Sequence, residues 1–262
     1  MKNWLFTVSC PQHYHWLRLA MRSVAKFGSG WAGWRLMLPF SGQAEGESLA
    51  CEYMLGPHEV PLDVQYFDEW PNKGKLHHMA LVLTADHLVP QAQCFTFWDS
   101  DMVMLAPIHA STFFRNNRPM VGFHSFEETI KELPPVVNWK IAAEQALGWQ
   151  VDFDFMRWFP ILHLPEALKL TRARVEMNTR RDAVEYIHDQ SNTFPEGFAE
   201  YNTIGAVAWR FLHEQYSWHR YRTVDELCNC PWLYPNKLVK GWAYKGFTAE
   251  EEGRFKEAGL WG

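Results

Sequence analysis

A chain of 262 residues can form one large α/β domain, or one domain with a small appendage. Hydrophobic residues at 47% and charged residues at 21% place it among ordinary globular proteins, and exclude a disordered or fibrous chain. A net charge of −5 lacks the basic footprint of most nucleic-acid binders.

The first apolar run, Trp4 to Val8, reads as a strand and ends at Ser9-Cys10-Pro11. A helix follows from about Tyr14 to Phe27, with Leu17, Met21 and Val24 on one stripe, and Gly28-Ser29-Gly30 stops it. Trp34 to Leu38, closed by Pro39, is a second strand. This strand–helix–strand opening predicts a parallel sheet of the nucleotide-binding type. Neither a G-x-G-x-x-G nor a P-loop pattern occurs, so neither of those phosphate grips is indicated. Ser41 to Glu47 reads as a polar loop, and Val64 to Phe67 as a third strand. Leu76, Met79, Ala80 and Leu83 recur at helical spacing between Lys75 and Leu88. Lys75, His77 and His78 open that helix, where a phosphate would be welcome; a solvated first turn accounts for the histidines equally well.

The stretch Cys94-Phe95-Thr96-Phe97-Trp98-Asp99-Ser100-Asp101-Met102-Val103-Met104-Leu105 organises the chain. An uncharged run of strand length ends in two carboxylates one residue apart, and the chain then turns apolar again. Such a run predicts a strand buried on both faces, and ligands of open α/β sheets bind outside the carboxyl ends of these strands. In extended chain Asp99 and Asp101 would point the same way and converge on one ligand. Two adjacent carboxylates repel unless a cation lies near them, and hard oxygen ligands suit Mg2+ or Mn2+. A metal bridging a diphosphate would point to group transfer from a nucleotide-activated donor.

Beyond this point Met102 to Ile108 reads as extended, Ser111 to Asn116 as a short helix, Met120 to Phe123 as a strand and Asn138 to Trp149 as a helix. Phe153 to His163 is aromatic, with Phe155, Trp158 and Phe159 as core or platform. Pro165 opens a further helix. Lys169, Arg172, Arg174, Arg180 and Arg181 form the densest basic run, either a solvated helix face or a meeting point for an anionic acceptor. After Phe194 to Asn202 comes an amphipathic helix with Ile204, Val207, Ala208, Phe211 and Leu212 as its buried stripe. Glu200 and Asn202 fall in its first turn, where such residues are also favourable structurally. Trp218 to Arg222 reads as the last strand. The tail from Asn229, with Pro231, Trp232, Tyr234, Pro235, Trp242, Tyr244 and Phe247, is expected to wrap the sheet.

Five scattered cysteines, with Cys228-Asn229-Cys230 too tight for a zinc pair, fit reduced thiols. No run reaches the length of a membrane span, and Met1-Lys2-Asn3 leads directly into the first strand, so a cytoplasmic protein is expected. The 14 Trp residues fill a core for the most part, with some expected to line a groove.

The W-D-S-D-M-V-M-L-A-P-I stretch resembles the D-x-D strand of glycosyltransferases with the GT-A fold. F-A-E-Y-N, leading into a helix, resembles an F-S-E-Y-type motif of bacterial and phage glycosyltransferase-like proteins, and the Lys75 helix matches a Lys/Gln-bearing helix of that group. The likeness spans roughly residues 3 to 215, but only these two stretches carry specific residues. It implies a single GT-A domain, Rossmann-like, with a mostly parallel central sheet flanked by helices. Residues 1–110 would be a nucleotide-binding half ending in the D-x-D, and 111–262 an acceptor half with a wrapping tail. The implied activity is metal-dependent sugar transfer from a nucleotide-diphosphate donor, with a UDP-sugar as the leading donor, in a bacterial cell or phage-infected host. By the same resemblance Asp101 is the main ligand of Mn2+ or Mg2+, and Asp99 meets the metal or the donor's ribose. Thr7 and Ser9 begin the grip on the base, and Lys75 and His78 lie by the phosphates. Glu200 is the acceptor base of an inverting reaction or a stabilising carboxylate in a retaining one, with Asn202 assisting. The fold's usual C-terminal His ligand is missing from Gly241-Trp242-Ala243-Tyr244-Lys245-Gly246-Phe247, where Lys245 could pair with the diphosphate instead.

The acceptor stays open among glycan, lipid-linked sugar, protein, small molecule and DNA. A DNA base would suit the basic run and the aromatics, while the acidic charge argues against it. A non-catalytic nucleotide-sugar-binding protein is the reading from another class. Nucleotidyl or phosphoryl transfer would call for further acids or a glycine-rich cradle, neither of which is clear.

Overall fold

The computed structural model describes residues 1–156, 160–192, 197–221, 237–241 and 247–261. Its strands, in chain order, are β1 (Asn3–Val8), β2 (Gly33–Pro39), β3 (Leu62–Phe67), β4 (Cys94–Phe97), β5 (Met102–Met104), β6 (Arg118–Ser125), β7 (Phe153–Asp154), β8 (Ile161–His163), β9 (Ser217–Arg220) and β10 (Leu238–Lys240), besides shorter pairings. The helices are α1 (Tyr14–Phe27), α2 (Gln43–Leu55), α3 (Gly74–Leu83), α4 (Phe126–Glu132), α5 (Val137–Leu147), α6 (Pro165–Thr179), α7 (Ala183–His188), α8 (Glu200–Phe211) and α9 (Ala249–Glu257), with one more turn at Ala85–Leu88.

The central sheet has the order β8-β4-β1-β2-β3. β1 pairs in parallel with both β2 and β4, β2 in parallel with β3, and β8 closes the sheet antiparallel to β4. The chain moves outward from β1 to β3 on one side, then returns to place β4 on the other side. The order therefore reverses between β1 and β4, and a crevice at their carboxyl ends is the expected ligand position of an α/β sheet. β4 is buried on both faces, as its uncharged sequence requires. A second sheet runs β7-β6-β9, and β10 pairs antiparallel with β5. The fold is thus α/β with mixed sheets around one large hydrophobic cluster. Among the described residues, no helix is long and apolar enough to cross a membrane.

Several expected elements change form. The Ser41 to Glu47 loop is a short 3-10 turn running into α2. Its buried face is Gly46, Leu49, Ala50 and Tyr53, a helical stripe whose first member has no side chain to signal it. A Cβ on Gly46 would lie 2.7 Å from Leu38 Cδ1, so the glycine lets α2 lie close on the sheet. The helix from Lys75 to Leu88 breaks after Leu83, where the Thr84 hydroxyl donates to Ala80 O at 2.8 Å. Met102 to Ile108 is not one strand: β5 ends at Met104, and the chain pairs again only at Ile108–His109. Ser111 to Asn116 contributes a 3-10 turn, Ala110–Phe113. Phe211 is 54% exposed rather than part of the buried stripe of α8. Phe155 is core, while Trp158 and Phe159 lie outside the described residues, as does the tail from Asn229 to Asn236.

Candidate functional site

The acid pair is presented by a tight turn rather than by extended chain. Met102 N donates to Asp99 O at 3.1 Å, and the buried Trp98 indole donates to Met102 O at 3.1 Å. The expected period-2 alignment of Asp99 and Asp101 is therefore corrected. Their carboxylates do converge, because a reversal stabilised by the Trp98 indole brings them to the same side.

The point they share holds the ammonium of Lys240. Its Nζ donates to Asp99 Oδ2 at 2.6 Å and to Asp101 Oδ1 at 2.9 Å. Register places it there: Lys240 stands opposite Met102 in the β5–β10 pair, and Gly241 N donates to Asp101 O at 2.7 Å. The Lys240 side chain is only 9% exposed. Burial works against its charge, but the facing carboxylates of Asp99 and Asp101 outweigh burial and hold its pKa above the ordinary lysine range. Burial pushes the Asp101 carboxyl up; Lys240 opposes this and repulsion from Asp99 adds to it, leaving a net rise. One ammonium shared by two carboxylates cannot neutralise both in full.

Beside this turn a cleft of about 630 Å³ opens along Val8 to His13, the start of α3, and Glu200 at the start of α8. It has the size of a small-molecule site and opens at the carboxyl end of β1, on one side of the topological switch point. A larger cavity of about 910 Å³ lies toward the far end of α1, against Gly28, Ser29 and Pro57. Two of its cations, Arg18 and Arg22, already meet Glu52 at 3.3 and 2.6 Å, and it is remote from the strand ends that carry the ionisable groups. The smaller cleft is the candidate site.

Of the residues singled out from the sequence, Ser9, Lys75, His77, His78 and Glu200 line the cleft, whereas Asp99 and Asp101 stand behind its lining rather than in it. The Ser9 hydroxyl is buried, 5% exposed as a residue, without a hydrogen-bond partner among the described residues. Burial lowers the pKa of His78; Asp99 pulls it upward, but Lys240, His13 and Lys75 side with burial. Glu200 is buried on the cleft wall as the first residue of α8.

Thr7 is corrected: its hydroxyl donates to Trp98 O at 2.5 Å and accepts from the Trp34 indole at 2.9 Å, so it fixes the approach to the acid turn instead of meeting a base. Asn202 is corrected as well. It is fully buried away from the cleft lining, and its Oδ1 accepts from Phe155 N at 2.6 Å. It clamps the segment that delivers Met156 to the cleft. His77 stacks on Trp70 at 4.4 Å, and burial lowers its pKa to about 4, so it is a neutral packing group. Lys245 lies outside the described residues.

Three of the five cations of the basic run are already engaged within the protein. Arg172 forks onto Asp86 at 2.5 and 2.7 Å, Arg174 donates to Leu147 O and covers the Trp149 ring at 4.6 Å, and Arg181 meets Asp189 at 2.6 Å.

Two participants are not among the residues singled out from the sequence. His13 lines the cleft within electrostatic reach of both acids; burial lowers its pKa against the pull of Asp101. Lys240 ends the apolar pair Leu238-Val239, and such a short strand after Pro235-Asn236 was its one local signal. Its partner lies more than a hundred residues away, and spacing along the chain does not encode that pairing.

No protein-family model matches the chain, and no curated protein matches it. Among solved structures it is similar to mouse xyloside xylosyltransferase 1 in its apo form, at 11% identity and a TM-score of 0.41, over 84% of this chain and 85% of that one. A likeness of that degree says nothing about the chemistry of the cleft.

Proposed function

We propose that the chain is a glycosyltransferase of the GT-A type that takes a sugar from a nucleoside-diphosphate donor in the cleft at the end of β1. One observation carries this reading: two carboxylates converge on a single cation position at the switch point of an α/β sheet, beside a cleft of small-molecule size. The buried Ser9 hydroxyl, Lys75 near the N-terminus of α3, and Glu200 supply complementary groups. A uridine diphosphate sugar is the leading donor.

In the transfer an acceptor hydroxyl oxygen bonds to the anomeric carbon, and the bond from that carbon to the diphosphate oxygen breaks. The electron pair leaves with the nucleoside diphosphate, and the hydroxyl proton passes to a carboxylate, the role assigned to Glu200 in direct displacement. Lys240 holds the acids in place, and Lys75 faces the leaving phosphates.

The two Asp oxygens are the donor type that suits Mg2+ or Mn2+. Lys240, however, fills the point they share, and among the described residues no group of three or more His, Cys, Asp or Glu could hold a metal ion. As arranged, these residues do not fit a resident divalent ion, and the transfer is not routed through one.

The test is a thermal-shift panel of nucleoside diphosphates, each with EDTA and with Mn2+. One diphosphate at about a hundred times its Kd should raise the melting midpoint by about 5 °C. Asp101→Asn should lose most of that shift and Arg174→Ala should keep it. Slow hydrolysis of the matching nucleotide sugar distinguishes a transferase from a binding protein. If no nucleoside diphosphate shifts the midpoint under either condition, the proposal fails.

A further inference from the structure

We infer that the cation belonging to the Asp99–Asp101 pair is the chain's own Lys240 ammonium, so that the native protein excludes divalent metal from this turn. The geometry is that of a filled cation site. Two carboxylate oxygens from residues two positions apart lie 2.6 and 2.9 Å from one Nζ, and each oxygen belongs to a different side chain. A side chain that merely drifted onto an acidic patch would not need its backbone held on both sides. Here Leu105 N donates to Lys237 O at 2.8 Å and Gly241 N to Asp101 O at 2.7 Å, so β10 is fastened to the acid turn before and after Lys240.

The ammonium is almost wholly withdrawn from water, and the carboxylates are the compensation for that withdrawal. A divalent ion bound to the same oxygens would sit next to this buried charge and be repelled by it, or would have to drive it off both partners. The histidines of the cleft offer no substitute ligand set, since no group of three candidate ligands occurs among the described residues. The acid turn therefore works as a preformed lysine–carboxylate triad. Its consequence for the donor, metal-independent binding of a nucleoside diphosphate, rests on the glycosyltransferase reading; the exclusion of metal does not.

The decisive measurement uses Mn2+ alone, titrated into the full chain and followed by the loss of the free-ion electron paramagnetic resonance signal. Lys240→Met should bind one Mn2+ at least ten times more tightly than the wild type, because it frees both acids. Lys240→Arg, which restores the charge, should return to the wild-type weakness, and Lys240→Met/Asp101→Asn should lose the gain. Circular dichroism melts of each variant establish that the folded protein is being read. If Lys240→Met does not fold, Asp101→Asn against wild type carries the test: neither should take up Mn2+ at the turn. Wild-type binding as tight as that of Lys240→Met, or wild-type binding abolished by Asp101→Asn, overturns the inference. In the nucleotide arm, wild-type affinity for the responding diphosphate should agree within about threefold between EDTA and Mn2+. Binding seen only with Mn2+ would refute metal independence while leaving the glycosyltransferase reading intact. Failure of every diphosphate would refute that reading and leave the Mn2+ result to stand or fall by itself.

Discussion

The imidazole of His163 lies 6.3 Å from the Phe97 ring and 6.1 Å from that of Tyr216, and neither of its nitrogens has a hydrogen-bond partner among the described residues. Burial lowers its pKa to about 3. The unfolded chain takes up this proton near pH 6.5 and the folded chain only near 3, so between those values the unfolded state binds more protons. The stability due to neutral His163 is complete above pH 6.5 and is lost as the pH falls toward 3, at up to about 1.4 kcal/mol per pH unit. His163→Phe should flatten this acid limb. Urea unfolding of both proteins from pH 7 to 4 measures it, and parallel curves would show that His163 titrates normally. The same residue-scale logic separates Thr7 from Ser9. Both hydroxyls are buried, but Thr7 is bonded twice within the protein, whereas Ser9 has no partner among the described residues and faces the cleft.

Among the elements, α8 makes the most demanding contact. A Cβ added at Gly205 would lie 2.4 Å from Phe155 Cγ and 2.5 Å from its Cβ, atoms too near the backbone to swing aside. Phe155 is held in turn by Asn202, one helical turn earlier on α8. The helix and the segment at Phe155 thus define each other's position, and the same helix start places Glu200 on the cleft wall. Gly205→Ala would raise helix propensity by about 1 kcal/mol, but overpacking costs about 1–3 kcal/mol, and the backbone-proximal clash puts the result at the destabilising end. A melting midpoint lowered by a few degrees is expected. A midpoint unchanged or raised would mean that Phe155 can move away. At this scale α1 was readable, since its apolar residues recur at helical spacing, whereas α2 was not, because Gly46 leaves a gap in its stripe.

Across the whole molecule, residues far apart in sequence are joined by buried charge. Arg172 on α6 donates to Leu83 O at the end of α3 and forks onto Asp86, with the arginine and aspartate side chains 10% and 13% exposed. Removing one member strands the other, a loss of about 3–5 kcal/mol for a buried pair. Arg172→Met should therefore lower stability by that order, whereas Lys131→Met, which breaks an exposed pair with Glu127, should leave it nearly unchanged. Chemical denaturation of the two variants decides between a structural and a solvent-facing Arg172. The fold thus determines which charges of a basic run face inward, and Arg172 is one that does.

What the sequence by itself determined was local: the buried character of β4, the parallel opening, the start of α8, and the two acids just past the end of β4. These follow from the order of apolar and polar residues along a few turns or one strand, which is a nearest-neighbour property. Only the tertiary structure decided what meets the acids. Lys240 reaches them through the register of a three-residue strand, while Thr7 and Asn202 are diverted to the protein's own backbone. Such choices depend on which distant groups are left needing a partner once the core has closed, and burial makes an unpaired polar group costly enough to settle them.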